Sequence, residues 1–350
     1  MGILKVTGVI RLDQFWPRGK SEAGGSVIKI TVNRDSFEFS DNGVDNYKPV
    51  HVFQEASVAY NRKIQKLIKR GNQLLVRFTG VDIPELNYKI LGSTPIKHPT
   101  RRGSLNQFEY EQLIRINNDV GFRQPCAEYV SHRLFDFLSR ESHYGEVPCT
   151  FTAMASSPSD ISDAYGRLTG EVEVPVKGKP VNLNIWLLEK GLGFPLLCSG
   201  MPPEKVKLFI DAAKAGKTAK NSIHACYREF LGIFDHNRRY REPVSGASLG
   251  ADSAGDKGHL LMPKLFRRWC AYNIYRQAGV QIGTFAGYLK TFDDRLVLTS
   301  DYLNNPTDAV ATTLDQALVN NRLTLKPDDM VFVRKPVILK DTTGKDILSF

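Results

Sequence analysis

Arg77, Asp82, Glu85, Asp163 and Arg167 are the residues whose types and spacing could do chemistry. The first three lie in Arg77-Phe-Thr-Gly-Val-Asp82-Ile-Pro-Glu85, where an apolar run (Leu74, Leu75, Val76, Phe78) meets an Ile-Pro turn. The others lie in Asp163-Ala-Tyr-Gly-Arg167, a Tyr-Gly turn leading into an alternating stretch over 168–174. Two arginines with paired carboxylates suit cleavage of a phosphodiester. Hydrolysis adds hydroxide to an anion that repels it, and guanidinium forks neutralise the non-bridging oxygens and the extra charge of the transition state. A carboxylate holding a divalent cation polarises phosphate and water together. Asp82 suits the metal. Glu85, three residues on across the turn, suits orienting or deprotonating the water. In a regular strand Arg77 points away from the Asp82 face, and a bulge at Gly80 would bring the two together.

Each piece also has an ordinary explanation. Carboxylates at a strand end are commonly solvated, a strand arginine can cover apolar neighbours with its stem, and the Tyr-Gly segment can be a plain hairpin turn. Spacing alone leaves these alternatives open.

The elements that must position these residues are bounded by composition. With 350 residues, 42% hydrophobic and 24% charged, the chain is long enough for a full core and for more than one domain. No apolar run approaches the ~20 residues needed to span a bilayer. The start, Met-Gly-Ile-Leu-Lys-Val-Thr-Gly-Val-Ile-Arg, reads as a first strand rather than a signal peptide, so a cytoplasmic location is expected. Cys126, Cys149, Cys198, Cys226 and Cys270 are scattered without metal-ligand spacing, as small core residues in a reducing compartment would be. The formal charge of +10, clustered at 62–70, 97–102, 238–241 and 267–268, favours nucleic acid over a membrane surface as partner.

Strands are expected at 4–12, 27–32, 50–53, 74–81, 149–153 and 168–174, each bounded by Gly, Pro, Asn or Asp. Helices are expected from Pro125 through Leu138, over 183–190 and from Pro203 to about Cys226. Short strands with three helices suggest a small β-barrel with helical additions. Residues 236–259 have linker composition. Beyond them a second unit begins with the helical stripe Leu265, Trp269 and Tyr272, with Arg267, Arg268 and Arg276 expected on the surface. A weaker helix is expected over 312–319, and strands over 330–333 and 337–339.

The run Val-Arg-Phe-Thr-Gly-Val-Asp-Ile-Pro-Glu, the later Asp-x-Tyr-Gly-Arg, and Leu-Asn-x-Trp-Leu-Leu-Glu-Lys-Gly-Leu-Gly-Phe together resemble the staphylococcal nuclease (thermonuclease) family over about residues 1–228. The resemblance implies an α+β fold, a five-stranded OB-like barrel with helices, and Ca²⁺-dependent cleavage of DNA or RNA, with Mg²⁺ or Mn²⁺ as alternative ions. By position it makes Arg77 and Arg167 the phosphate-binding arginines, Asp82 a calcium ligand, Ile83 a backbone-carbonyl ligand and Glu85 the candidate general base.

Three departures stand out. Where the family carries a second hairpin aspartate, this chain has Ser26, with Glu22 the nearest carboxylate that could complete the metal shell. Leu197 and Ser199 stand where tyrosines would follow the second helix. About forty residues, 87–124, are inserted after Glu85, and their Lys97, Arg101 and Arg102 are candidate nucleic-acid contacts.

The expected organisation is a nuclease-like domain over 1–235 with the basic insertion, a linker over 236–259, and a smaller mixed α/β unit over 260–350. That unit could position substrate, self-associate or dock a protein partner. Two functions follow: a metal-dependent nuclease, or a degenerate nuclease-like module that binds nucleic acid or a protein.

Overall fold

A computed structural model describes residues 2–16, 27–40, 48–49, 56–60, 63–66, 68–69, 72–90, 97–100, 102–117, 121–155, 161, 163, 167–242, 258–334 and 339–341. The chain opens with strands β1 (Gly2–Arg11), β2 (Val27–Ser40) and β3 (Gln73–Phe78), then, after a break at Thr79, the short β4 (Gly80–Asp82). Helices α1 (Gln107–Asn117) and α2 (Ala127–Arg140) precede β5 (Glu146–Ala155) and β6 (Leu168–Val176). Then come α3 (Leu183–Glu189), β7 (Phe194–Cys198) and α4 (Pro203–Lys217). The C-terminal part adds α5 (Pro263–Gln277), β8 (Arg295–Leu298), β9 (Thr312–Thr313) and β10 (Met330–Phe332).

Five strands close a barrel. β1 pairs antiparallel with β2 and β5, β2 with β3, and β5 with β6, while β6 meets β3 in parallel and seals the ring. The alternating sequence drives this closure, because every second residue must leave water. Leu4 and Val6, Ile28 and Ile30, Leu74 and Val76, Cys149 and Phe151, and Val172 and Val174 are all buried. The result is an α+β fold built on a five-stranded barrel, compatible with an OB-like architecture.

A second sheet runs in the order β9, β8, β10, β7, β4. It joins the C-terminal α/β unit to the strand that carries Asp82: β4 pairs antiparallel with β7, and β7 pairs in parallel with β10. Among the described residues, no helix is long and apolar enough to cross a membrane.

Several local expectations are corrected. The strand expected over 74–81 is two strands, because Gly80 turns into the left-handed region at φ 72°. A Cβ there would lie 2.6 Å from the Phe209 ring, so only glycine serves. The helix starting at Pro203 stops at Lys217, and Asn221 at φ 64° and the Ser222 cap start a separate 3-10 turn, Ile223–Cys226. No helix forms over 312–319. The β-branched Thr312 and Thr313 pair with β8, and Leu318–Val319 forms a hairpin with Arg322–Leu323 through Asn320 and Asn321, both at positive φ. The insertion contains α1, which was not expected. The strand expected at 50–53 lies outside the described residues.

Candidate functional site

Arg77 sits on β3 and Arg167 enters β6, and the parallel pairing sets these segments side by side, with Thr169 opposite Arg77. Asn184, fully buried in the first turn of α3, locks this junction. Its amide donates to the carbonyls of Thr79 at 2.8 Å and Gly170 at 3.0 Å, and its Oδ1 accepts from the Val172 N–H at 3.1 Å. Parallel pairing that ends at a strand break leaves carbonyls to satisfy, and one asparagine satisfies two of them.

Beyond the break, β4 delivers Asp82 with its backbone paired to Phe194. Glu85 is held by Gln124 at the end of the insertion. The Glu85 N–H donates to Gln124 Oε1 at 3.1 Å, and the Gln124 N–H donates to the Glu85 carbonyl at 2.7 Å. The Gln124 amide also donates to the Leu261 carbonyl at 2.6 Å, tying the start of the C-terminal part to the same corner.

Three carboxylates and three guanidinium groups meet here. Arg167 donates to Asp163 through Nε at 2.7 Å, with its Nη2 at 2.6 Å from the same carboxylate. Arg267 of α5 grips Asp82 with two bonds, at 3.1 and 2.7 Å, and reaches Glu85 Oε1 at 2.5 Å. Arg77 is held more loosely: it lies 3.5 Å from Asp82 and 3.8 Å from Asp163. The Asp82 side chain is 1% exposed and those of Arg77, Glu85, Arg267 and Arg167 are 17–23% exposed, so the cluster is almost dry at Asp82 and partly open around it. Its six formal charges cancel. Burial opposes the charge of Arg267, and the carboxylates of Asp82 and Glu85 more than offset this, holding its pKa above the ordinary arginine value.

Arg267 corrects an expectation. Instead of standing free on the surface it is half-buried and paired in the cluster, and its neighbour Arg268 pairs with Asp294 at 2.8 and 3.0 Å. Lys264, one turn earlier, reaches the same Asp294 at 3.1 Å. Residues 264, 267 and 268 share one helical face, and of these the sequence had marked only the adjacent pair Arg267 and Arg268 as a basic cluster. Their acidic partners lie on distant segments, so the stripe could not say whether it faced water or carboxylates. The arginines at 239 and 241 also have partners within the chain: Arg239 stacks 3.6 Å over Phe122, and the exposed Arg241 pairs with the buried Glu128.

The remaining candidates fall elsewhere. Lys97 and Arg102 are exposed on a tight turn closed by the His98 N–H donating to the Gly103 carbonyl at 2.9 Å. Ile83 is buried in the barrel core. Glu22, Ser26 and Arg101 lie outside the described residues. Leu197 and Ser199, at the positions where tyrosines were expected, instead join β7 to β10: Leu197 pairs with Val331, and the Ser199 N–H donates to the Phe332 carbonyl.

Asp82 and Glu85, the described carboxylates expected at a Ca²⁺ site, do not by themselves fit the ion. A hard cation needs six to eight oxygen ligands, and the carboxylates of Asp82 and Glu85 are already joined through the guanidinium of Arg267. Among the described residues no group of three or more His, Cys, Asp and Glu side chains could hold a metal. No family model matches the chain, and no curated protein matches it.

Proposed function

We propose that the chain is a nucleic-acid-binding module that grips the phosphodiester backbone through Arg77 and Arg167, with Arg267 neutralising the carboxylates beside them. The observation that carries this reading is the slack at Arg77. Charge-assisted bonds run about 2.7–2.9 Å, and Arg77 makes none so short, its ionic contacts being 3.5 and 3.8 Å. A part-buried guanidinium with long contacts gains most from a further acceptor, and the two non-bridging oxygens of a phosphodiester match its fork. Without Arg267 the two carboxylates would repel that phosphate. With it, the grip needs no divalent cation.

A second reading, a metal-dependent nuclease acting on DNA or RNA, is favoured by one observation: Glu85 lies in the same charge cluster as Arg77, with Asp82 between them. The Glu85 oxygen that would face a water already accepts from Arg267 at 2.5 Å, so that reading requires Arg267 to withdraw.

Fluorescence anisotropy with a labelled single-stranded oligonucleotide, run in EDTA and across a salt series, tests the first reading. Binding should persist in EDTA and weaken in Arg77→Ala. Binding that appears only with Ca²⁺, Mg²⁺ or Mn²⁺, together with cleavage abolished by Arg167→Ala, establishes the second reading instead.

A further inference from the structure

A cavity of about 260 Å³ lies beside the Gln124 corner, where Gln124 bonds both Glu85 and the lining residue Leu261. Phe122, Phe234, Phe266 and Trp269 line it, with Arg123, Asp235, Arg238 and His259 among its polar groups. The six charged side chains of the cluster do not line it, but two segments border both. Phe266 and Trp269 flank Arg267 on α5, and the lining residues Arg123 and Pro125 flank Gln124, whose side chain holds Glu85.

The lining is graded by exposure. Phe122 is fully buried beneath the guanidinium of Arg239, while Phe234 and Trp269 are half-buried and present ring surface. Both rings are braced. Phe234 leans on Phe122 with centroids 5.3 Å apart, and Trp269 stacks on Tyr272 at 5.5 Å and 15°. Gly258 packs closely at the rim, since a Cβ there would stand 3.2 Å from Pro125 and 3.3 Å from the Arg238 guanidinium.

We infer that this cavity receives one unstacked nucleobase of a single strand whose backbone lies on Arg77 and Arg167. The inference rests on the phosphate-binding reading and adds to it the strand state of the ligand. Aromatic walls favour a flat ring over an aliphatic chain, through stacking. The volume lies just below the roughly 300–1,000 Å³ of drug-sized ligand pockets, enough for one ring system and too small for a stretch of strand. A base in a duplex is stacked and paired, so only a single strand offers its face at low cost.

The test compares an intact single-stranded oligonucleotide with the same backbone stripped of bases, in EDTA at fixed salt. One stacked base should make the intact strand bind about 5- to 150-fold tighter, the equivalent of roughly 1–3 kcal/mol. Phe234→Ala should collapse that ratio, which a uniform loss of folded protein would not change. Equal affinity for the two strands, or a ratio unchanged in Phe234→Ala, overturns the base pocket. If the abasic strand still binds and Arg77→Ala weakens it, the phosphate reading survives that failure. If neither strand binds, both are overturned.

Discussion

The guanidinium of Arg267 lies across both carboxylate oxygens of Asp82, at 3.1 and 2.7 Å, although the two residues are 185 positions apart. One end of that pair belongs to a short strand beside the barrel and the other to a helix of the C-terminal part. The α/β unit therefore completes the charge balance of the site, in addition to extending its sheet.

Arg267→Ala should act on stability and on ion dependence together. Removing one partner of a buried pair costs about 3–5 kcal/mol, read as a lowered urea midpoint with unchanged slope. Any folded fraction should bind oligonucleotide poorly in EDTA, because two uncompensated carboxylates then face the phosphate. Arg267→Lys should restore less than half of the loss, since a point charge cannot fork across Asp82. EDTA binding in Arg267→Ala equal to that of the parent would contradict this role.

Asn184→Leu should destabilise the barrel by roughly 2–4 kcal/mol. It strands the Thr79 carbonyl and the Val172 N–H and leaves the Gly170 carbonyl with the Thr79 N–H alone, and each buried unsatisfied group costs about 1–3 kcal/mol. Hydrogen exchange should report faster opening at the junction of β3 and β6. A variant as protected there as the parent would show that the junction holds without the amide.

The ion triad of α5 predicts a buried-charge penalty of its own. Burial acts to raise the Asp294 pKa, and Lys264 and Arg268 more than reverse this, holding it well below the usual carboxylate range. Asp294→Asn leaves Lys264 buried beside Arg268 without its carboxylate and should cost about 3–5 kcal/mol. Double-mutant cycles with Lys264→Met should show strong coupling between the two positions.

Acid sensitivity should have a histidine component. Burial, helped by Lys217, lowers the His224 pKa from the ordinary 6.5 to about 4. The folded state thus holds the neutral ring, and between those values the unfolded chain binds more protons. The contribution is fully present above the unfolded pKa and is lost as pH falls through the folded one, by on the order of 3 kcal/mol. His224→Gln should flatten the stability profile between pH 6.5 and about 4. An unchanged slope in that window would place the acid response elsewhere.

The basic turn gives a prediction confined to binding. Neutralising Lys97, Arg101 and Arg102 together should flatten the salt dependence by two to three units, at roughly 0.9 per phosphate contact on duplex DNA, and leave base preference unchanged. An unchanged slope would leave these charges a role in solubility alone.

What this sequence determined by itself is local. Alternation over the barrel strands reports the burial of every second residue, because side chains on a pleated strand point to opposite faces; the run Leu74, Leu75, Val76 and Phe78 was legible as a strand, and the structure puts Leu74, Val76 and Phe78 on its buried face. The Gly80 bend was legible for the same reason, since a glycine inside an apolar strand marks a kink. Arg77, Asp82, Glu85 and Arg167 could be singled out because their spacing lies within two short segments. The pairing of charges was not legible. An arginine looks the same in sequence whether it meets water, a phosphate or a carboxylate, and electrostatic partners are chosen by distance in space. Only the tertiary structure brought α5 against β4, turned Arg267 from an expected surface charge into the counter-ion of Asp82 and Glu85, and built an aromatic cavity from the insertion and the C-terminal part. Such contacts join residues far apart in the chain, and no local periodicity encodes them.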